Sequence, residues 1–304
     1  MVVYIAGSGR SGSTLLERTL GQMPGFVNVG ELVDLFRRGA SRGQRCSCGQ
    51  PFGGCPFWAS VVQDAFGDWA DPRVAEVHPL QRRMARHGSL PLLLAMPLAG
   101  PRFRADAARY GERYGAVYRA IAAAGGASCV VDASKWPVQA LALRRGGVDV
   151  RVIHLVRDAR AVAHSHAKRA RKPPVTAARW VFHQAEAETL RLGGVPVARV
   201  RYEDFVRWPR QTLQDALARL GLPSGPAQFG HLTGGQVVLG PSHGVHGNPG
   251  RFRQGRIALR NDEAWREGMP RRERLVVTAI GLPLLLRYGW RPGRPPGRPP
   301  VPGA

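Results

Sequence analysis

The first fourteen residues, MVVYIAGSGRSGST, constrain the architecture more than any other stretch. An apolar run, Val2 to Ala6, meets a turn with glycine at positions 7, 9 and 12, and Ser13 and Thr14 open the helical pattern LLERTL. A strand that feeds a helix through a glycine turn is the sequence form of a phosphate cradle. Glycine lets the backbone curl until several N–H groups converge, and the helix dipole favours an anion there. The spacing nearly fits GxxxxGK[ST], with Gly7, Gly12 and Thr14 in register. Ser13, however, stands in the lysine position, and the cation of the loop is Arg10. The expected ligand is rich in phosphate but held differently from ATP.

Strand and helix patterns alternate beyond this point, the mark of a parallel sheet covered on both faces. Strands are expected at residues 2–6, 27–29, 128–132, 151–156 and 197–201. Helices are expected at 13–22, 31–38, 137–145, 159–170 and 209–220. The fold class is therefore a P-loop-like α/β domain over 1–290, with no internal repeat. Residues 40–125 read as an insertion after the second strand, helical over 105–124 and loop-like elsewhere, placed to shape an acceptor pocket. The stretch 291–304, RPGRPPGRPPVPGA, reads as a disordered tail. Ligands of parallel sheets bind beyond the carboxyl ends of the strands. Gly7 to Thr14, Gly30 with Glu31, Ala133 to Lys135, Arg157 and Tyr202 all fall there.

The chain has 304 residues, enough for one large domain with insertions, and 44% of them are hydrophobic. A net charge of +23 raises nucleic acid or an anionic surface as partners. Of 44 basic residues, however, just Lys135, Lys168 and Lys172 are lysines, and the arginines are scattered, so a compositional bias explains the charge and no specific nucleic-acid partner is expected. The apolar stretches 89–100 and 275–286 are too short to span a bilayer and contain proline, so no transmembrane segment is expected. A chain that enters a strand at Val2 with no basic segment ahead of it reads as cytoplasmic. Cys129 falls in a strand and reads as a core residue. Cys46, Cys48 and Cys55 are spaced C-x-C-x6-C, which suits a metal or a disulfide. A zinc site needs a fourth ligand, none is near in sequence, and a distant histidine is the remaining source. The segment is read as a structural loop, with no metal expected.

A second anion site is legible in RVIHLVRDARAVAHSHAK, residues 151–168. Arg157 ends a strand, Asp158 is placed to cap the next helix, and Ser165 follows Arg157 by eight residues, about two helical turns. Arginine offers a planar fork of donors to phosphate and serine a hydroxyl. Together the two segments resemble the PAPS-dependent sulfotransferases, PAPS being 3′-phosphoadenosine 5′-phosphosulfate. The loop GRSGST is similar to their 5′-phosphosulfate loop, in the arginine form of tyrosylprotein and many bacterial sulfotransferases. Arg157 and Ser165 resemble their 3′-phosphate site, and the CxCG…CPFW segment also resembles bacterial members. The resemblance runs over roughly the first 260 residues.

The resemblance implies a P-loop-like sheet, PAPS as donor, a hydroxyl or phenol acceptor (small molecule, carbohydrate, lipid or peptide), and no metal. It places Gly9, Arg10, Ser11, Gly12, Ser13 and Thr14 on the 5′ end of the donor and Arg157 and Ser165 on the 3′-phosphate. Ser134 and Lys135 would meet the phosphosulfate, Tyr202 would lie near adenine, and Arg10 and Lys135 would stabilise the leaving phosphate. The loop 243–255, HGVHGNPGRFRQG, would fold over the nucleotide, with Arg251 or Arg253 capping the 3′-phosphate. Glu31, 21 residues after Arg10, matches the spacing of the family's catalytic glutamate and is the expected general base. Alternatives stand beside these roles. Glu31 also suits a helix start, and His78 and His87 are rival bases. Lys135 also suits an ion pair with Asp132, Tyr202 a core aromatic, and 243–255 a surface loop. The competing functions are an ATP-dependent small-molecule kinase, opposed by Ser13 in the lysine position, and a basic nucleotide- or nucleic-acid-binding protein.

Overall fold

Every residue of the first strand, β1 (Val2–Gly7), is apolar or glycine, so both of its faces must be covered. Val2, Tyr4 and Ala6 pack into one core, and Val3 and Ile5 into the core on the opposite side. A strand buried on both faces belongs at the centre of a parallel sheet. The computed structural model, which describes residues 1–36, 44–222 and 224–290, has this arrangement. β2 (Phe26–Asn28), β3 (Cys129–Lys135), β4 (Val150–Val156) and β5 (Val197–Arg201) join β1 in parallel, in the spatial order β2-β3-β1-β4-β5. The strand ends that face one another across the sheet are thus those of β1, β3 and β4.

Helix α1 (Ser13–Leu20) follows β1. Between β2 and β3 run α2 (Pro56–Phe66), α3 (Pro72–Met84), α4 (Leu90–Leu94) and α5 (Pro101–Ala124). This corrects the expectation of a loop-like insertion outside 105–124; residues 40–43 of it lie outside the described residues. Prolines sit in the first turn of α2, α3, α4 and α5, where a missing N–H costs nothing. Behind them Trp58, Tyr110 and Tyr114 are fully buried and join the core around Tyr4. Helix α6 (Pro137–Arg145) links β3 to β4, and α7 (Ala159–Ala167) with α8 (Pro173–Thr189) links β4 to β5. After β5 come α9 (Tyr202–Arg207) and α10 (Pro209–Arg219), then an antiparallel sheet of β6 (Leu232–Thr233), β7 (Gln236–Leu239) and β8 (Gly255–Ala258). α11 (Trp265–Gly268) and α12 (Arg271–Arg287) close the described chain. The expected tail, 291–304, lies outside the described residues.

Over its described part the helix expected at 31–38 is not a regular α-helix: a 3-10 turn, Leu32–Asp34, leads into π-helical backbone at Leu35 and Phe36. The reason is local: the amides of Leu32 and Val33 donate to the Asp132 carboxylate and the Ser134 hydroxyl of β3, at 3.4 and 2.8 Å. The turn is tied sideways to the sheet. No described helix is long and apolar enough to cross a membrane.

Candidate functional site

The β1–α1 turn is held in a shape that needs glycine at two points. Gly7 has φ +140°, and a Cβ there would lie 2.3 Å from the Leu155 carbonyl oxygen of the neighbouring strand. Gly12 has φ +91°, and a Cβ there would meet the Tyr202 ring at 2.3 Å. Between them Arg10 adopts φ +67°, the left-handed region, although it is not glycine. Helix α1 starts at Ser13 with no side-chain cap and no acid in its first turn, so its positive end is left for another anion. Ser11 is buried, and its Oγ has no hydrogen-bond partner among the described residues.

This turn forms one wall of a cleft of about 520 Å³. Among the described residues the lining carries six basic side chains, Arg10, Arg18, Lys135, Arg157, Arg169 and Arg253, against two carboxylates, Glu31 and Asp262. Such a field suits an anionic ligand. Arg10 donates from Nε to Ser165 Oγ at 3.0 Å, joining the first anion loop to α7. Arg157 donates to the Arg10 carbonyl at 3.1 Å and to the Asp262 carbonyl at 3.3 Å, while its guanidinium lies 4.6 Å from the centre of the Tyr202 ring. Its Nε is buried without a hydrogen-bond partner among the described residues. The helix after it is capped as expected, Asp158 accepting from the Arg160 amide at 2.8 Å. Burial and the nearby Arg169 and Arg157 push the Arg10 pKa downward, a measure of how crowded with cations this end is.

Across the cleft Glu31 forms an ion pair with Lys135, not the Lys135–Asp132 pair left open from sequence. Asp132 is fully buried and accepts instead from Ser134 and Tyr118, with burial pushing its pKa up. Lys135 ends β3 at φ +71° and also donates to the Ala133 carbonyl at 3.3 Å. Gly30, at φ +75°, lets the 243–255 loop pass close: a Cβ there would lie 2.9 Å from the His246 carbonyl. Beneath it the buried Glu17 of α1 accepts from Asn28 Nδ2 and from the Gly30 amide, both at 2.7 Å. Burial pushes the Glu17 pKa up to about 7.

Of the site residues expected from sequence, Gly9, Arg10, Gly12, Ser13, Thr14, Glu31, Lys135, Arg157, Ser165 and Arg253 line this one cleft. Ser11, Ser134, Tyr202 and Arg251 lie behind its surface. Ser134 holds Asp132 and Val33, Tyr202 packs under Arg157, and Arg251 donates to the carbonyls of Gly247 and Arg45 at 3.2 Å each. His78 and His87 are not in the lining, and His87 is engaged with Glu186 at 2.6 Å. The lining histidine is His246. Sequence reasoning also missed Arg18, Arg169, Asn248 and Asp262. Arg18 is 1% exposed and donates to the carbonyls of Gly240, Gly250 and Arg253, so it fastens the far wall to α1. No local signal marked it, because its partners lie more than 220 residues away.

No family model and no curated protein sequence matches the chain. Solved structures do, among them two sulfotransferase domains. One is the sulfotransferase domain from the Synechococcus PCC 7002 olefin synthase, 18% identical, covering 93% of this chain and 94% of that one at a TM-score of 0.50. The other is the sulfotransferase domain from the curacin biosynthetic pathway, 17% identical, covering 93% and 96% at a TM-score of 0.50. The chain thus has the P-loop-like α/β fold of sulfotransferase domains.

Proposed function

We propose that the protein moves a sulfuryl group from PAPS to a hydroxyl or phenol acceptor. The observation that carries this reading is the coupling of two anion sites in one cleft. Arg10 of the glycine turn bonds Ser165, and Arg157 bonds the Arg10 carbonyl, from segments about 150 residues apart. ATP has no 3′-phosphate to use the second site. The residues fit the donor: Ser11 Oγ and Arg157 Nε are buried polar atoms without hydrogen-bond partners among the described residues, and Gly12 keeps the turn open.

When bound, the donor supplies a sulfuryl group activated by its anhydride link to phosphate. The amides and hydroxyls from Gly9 to Thr14 bind its 5′ end, and Arg157 with Ser165 binds the 3′-phosphate. Arg253 adds charge from the covering loop. Leu15, Leu239 and Ile257 give the cleft an apolar strip suited to a base face. Arg10 and Lys135 hold positive charge where negative charge grows as the sulfuryl group leaves, a preorganised stabilisation. Glu31 takes the proton of the acceptor hydroxyl, and Lys135, paired with it, orients the carboxylate. Tyr202, its ring centre 4.6 Å from the Arg157 guanidinium, positions that cation.

A thermal-shift comparison tests this. At a hundred times Kd a ligand stabilises by about 2.7 kcal/mol. In a domain of this size that raises Tm by about 5 °C. 3′,5′-ADP should give this shift and ATP with magnesium a smaller one, and Arg157→Ala should abolish the difference. Labelled PAPS incubated with a cell extract should then yield acceptors heavier by one SO3 group. A larger shift with ATP and magnesium would instead support the kinase reading.

A further inference from the structure

A second cluster lies where the segment 46–55 meets the start of the 243–255 loop. Cys46, Cys48, Cys55 and His243 each present one ligand atom, and these atoms all lie within 4.8 Å of one another. The fourth ligand that the sequence did not place comes from 188 residues beyond Cys55. We propose that these four residues form a structural Zn²⁺ site that fixes the wall of the cleft beside Glu31.

The spacing is that of a tetrahedron waiting for its centre. Zinc–sulfur bonds of about 2.3 Å and zinc–nitrogen bonds of about 2.0 Å give S···S edges near 3.8 Å and S···N edges near 3.5 Å. Cys48 Sγ and Cys55 Sγ are 3.7 Å apart, and His243 Nδ1 lies 3.5 Å from Cys46 Sγ and 3.3 Å from Cys55 Sγ. A disulfide needs about 2.05 Å between sulfurs and would use just two of the three thiols. All three are free.

The local backbone is built for the purpose. The Cys46 amide donates to the Gln50 carbonyl at 3.0 Å and the Gly49 amide to the Cys46 carbonyl at 2.9 Å, with Gly49 at φ +93°. This tight knuckle brings Cys46 and Cys48 onto one side. The amides of Cys48, Gln50 and Trp58 hydrogen-bond the sulfurs of Cys46, Cys48 and Cys55 in turn, as outer contacts to thiolate ligands do. The His243 ring is fixed as well: Phe57 stacks on it at 4.4 Å and 7°, and Trp58 Nε1 donates to the His243 carbonyl at 2.9 Å. Four protein ligands leave no open position, which marks a structural rather than a catalytic zinc. Binding would release the thiol protons to solvent.

The consequence reaches the cleft through short links. Ser47 donates to the Gly244 carbonyl from its amide at 3.2 Å and its hydroxyl at 3.1 Å, and the Val245 amide donates to the Val29 carbonyl at 2.9 Å. Two residues further on, a Cβ at Gly247 would be 3.1 Å from Glu31 Oε1. The inference does not depend on sulfuryl transfer, because metal content is read without activity.

The test uses the full chain, purified under reducing conditions without chelator from zinc-supplied cells. Elemental analysis should find about one zinc per chain. Cys48→Ser should lose it and melt at lower temperature, and His243→Cys should keep it. Co²⁺ in place of zinc should give the strong visible absorption of a tetrahedral thiolate site. Should Cys48→Ser fail to fold, the zinc content and cobalt spectrum of the unaltered chain decide the matter. A folded chain without stoichiometric zinc, or a Cys48–Cys55 disulfide found in its peptides, overturns the proposal.

Discussion

Replacing Glu17 by glutamine should stabilise the protein at pH 8 relative to its effect at pH 5. Glu17 is fully buried on α1, and burial moves its carboxyl from the ordinary 4.5 to about 7. The folded state therefore holds this proton more tightly than the unfolded chain does. At pH 4 and below both states are protonated and nothing is lost. As pH rises from 4.5 to 7 the folded state binds more protons than the unfolded one, so stability falls, and above 7 the penalty is constant at up to ~3 kcal/mol. Glutamine is isosteric, and its Oε1 can still accept from Asn28 Nδ2 and the Gly30 amide. Its amide group carries a constant cost at every pH, which cancels when two pH values are compared. Urea unfolding of both proteins at pH 5 and pH 8 should thus show the variant gaining ~2 kcal/mol on the parent between the two, with equal m values. A variant whose difference from the parent is the same at both pH values refutes the reasoning, because Glu17 would then not be ionising within the buried site.

Glu31→Gln should lower turnover by about 10²- to 10⁴-fold while leaving 3′,5′-ADP affinity within about twofold, as read by steady-state kinetics and calorimetry; full activity would remove Glu31 as the base. Arg18→Ala should strip donors from the carbonyls of Gly240, Gly250 and Arg253 and lower stability by ~3 kcal/mol, a Tm fall of about 6 °C. An unchanged Tm would show that water replaces the guanidinium there. Gly12→Ala drives a methyl to 2.3 Å from the Tyr202 ring at φ +91°, so it should weaken nucleotide binding at least tenfold. Normal nucleotide affinity in that variant would mean that the turn need not keep this shape.

The parallel sheet was legible because its strands are short, mostly apolar runs that alternate with helical patterns. β5 has the expected bounds, Val197–Arg201, and the others differ by a few residues at their ends. What escaped was structure whose partners are far away in sequence. Helix α8, absent from the expected helices, opens on two prolines in its first turn, and with Trp180 fully buried it packs with α7 and α12 into a core of its own. The β6–β8 sheet is too short for periodicity to reveal: β6 spans two residues. Its role is tertiary, since Leu232, Val237 and Leu239 complete the core around Val3 and Ile5.

The cleft divides along the same line. Residues at or just past a strand end, such as Arg10, Glu31, Lys135 and Arg157, could be named because the sheet decides where they go. The opposite wall is decided by long-range hydrogen bonds. Arg18 reaches Gly240, Gly250 and Arg253, Arg157 reaches Asp262, and Ser47 reaches Gly244. Arg251 shows the cost of reading such a loop by composition. It carries the charge expected of a phosphate ligand, yet it donates to the carbonyls of Gly247 and Arg45 and so holds the covering loop to the cysteine knuckle. A cation two residues later, Arg253, lines the cleft in its place. Backbone carbonyls compete with a ligand for arginines such as Arg18, Arg157 and Arg251. An unpartnered Nε does not separate these cases, since those of Arg18, Arg157 and Arg251 all lack a hydrogen-bond partner among the described residues; what separates them is position, Arg18 and Arg157 lining the cleft and Arg251 not.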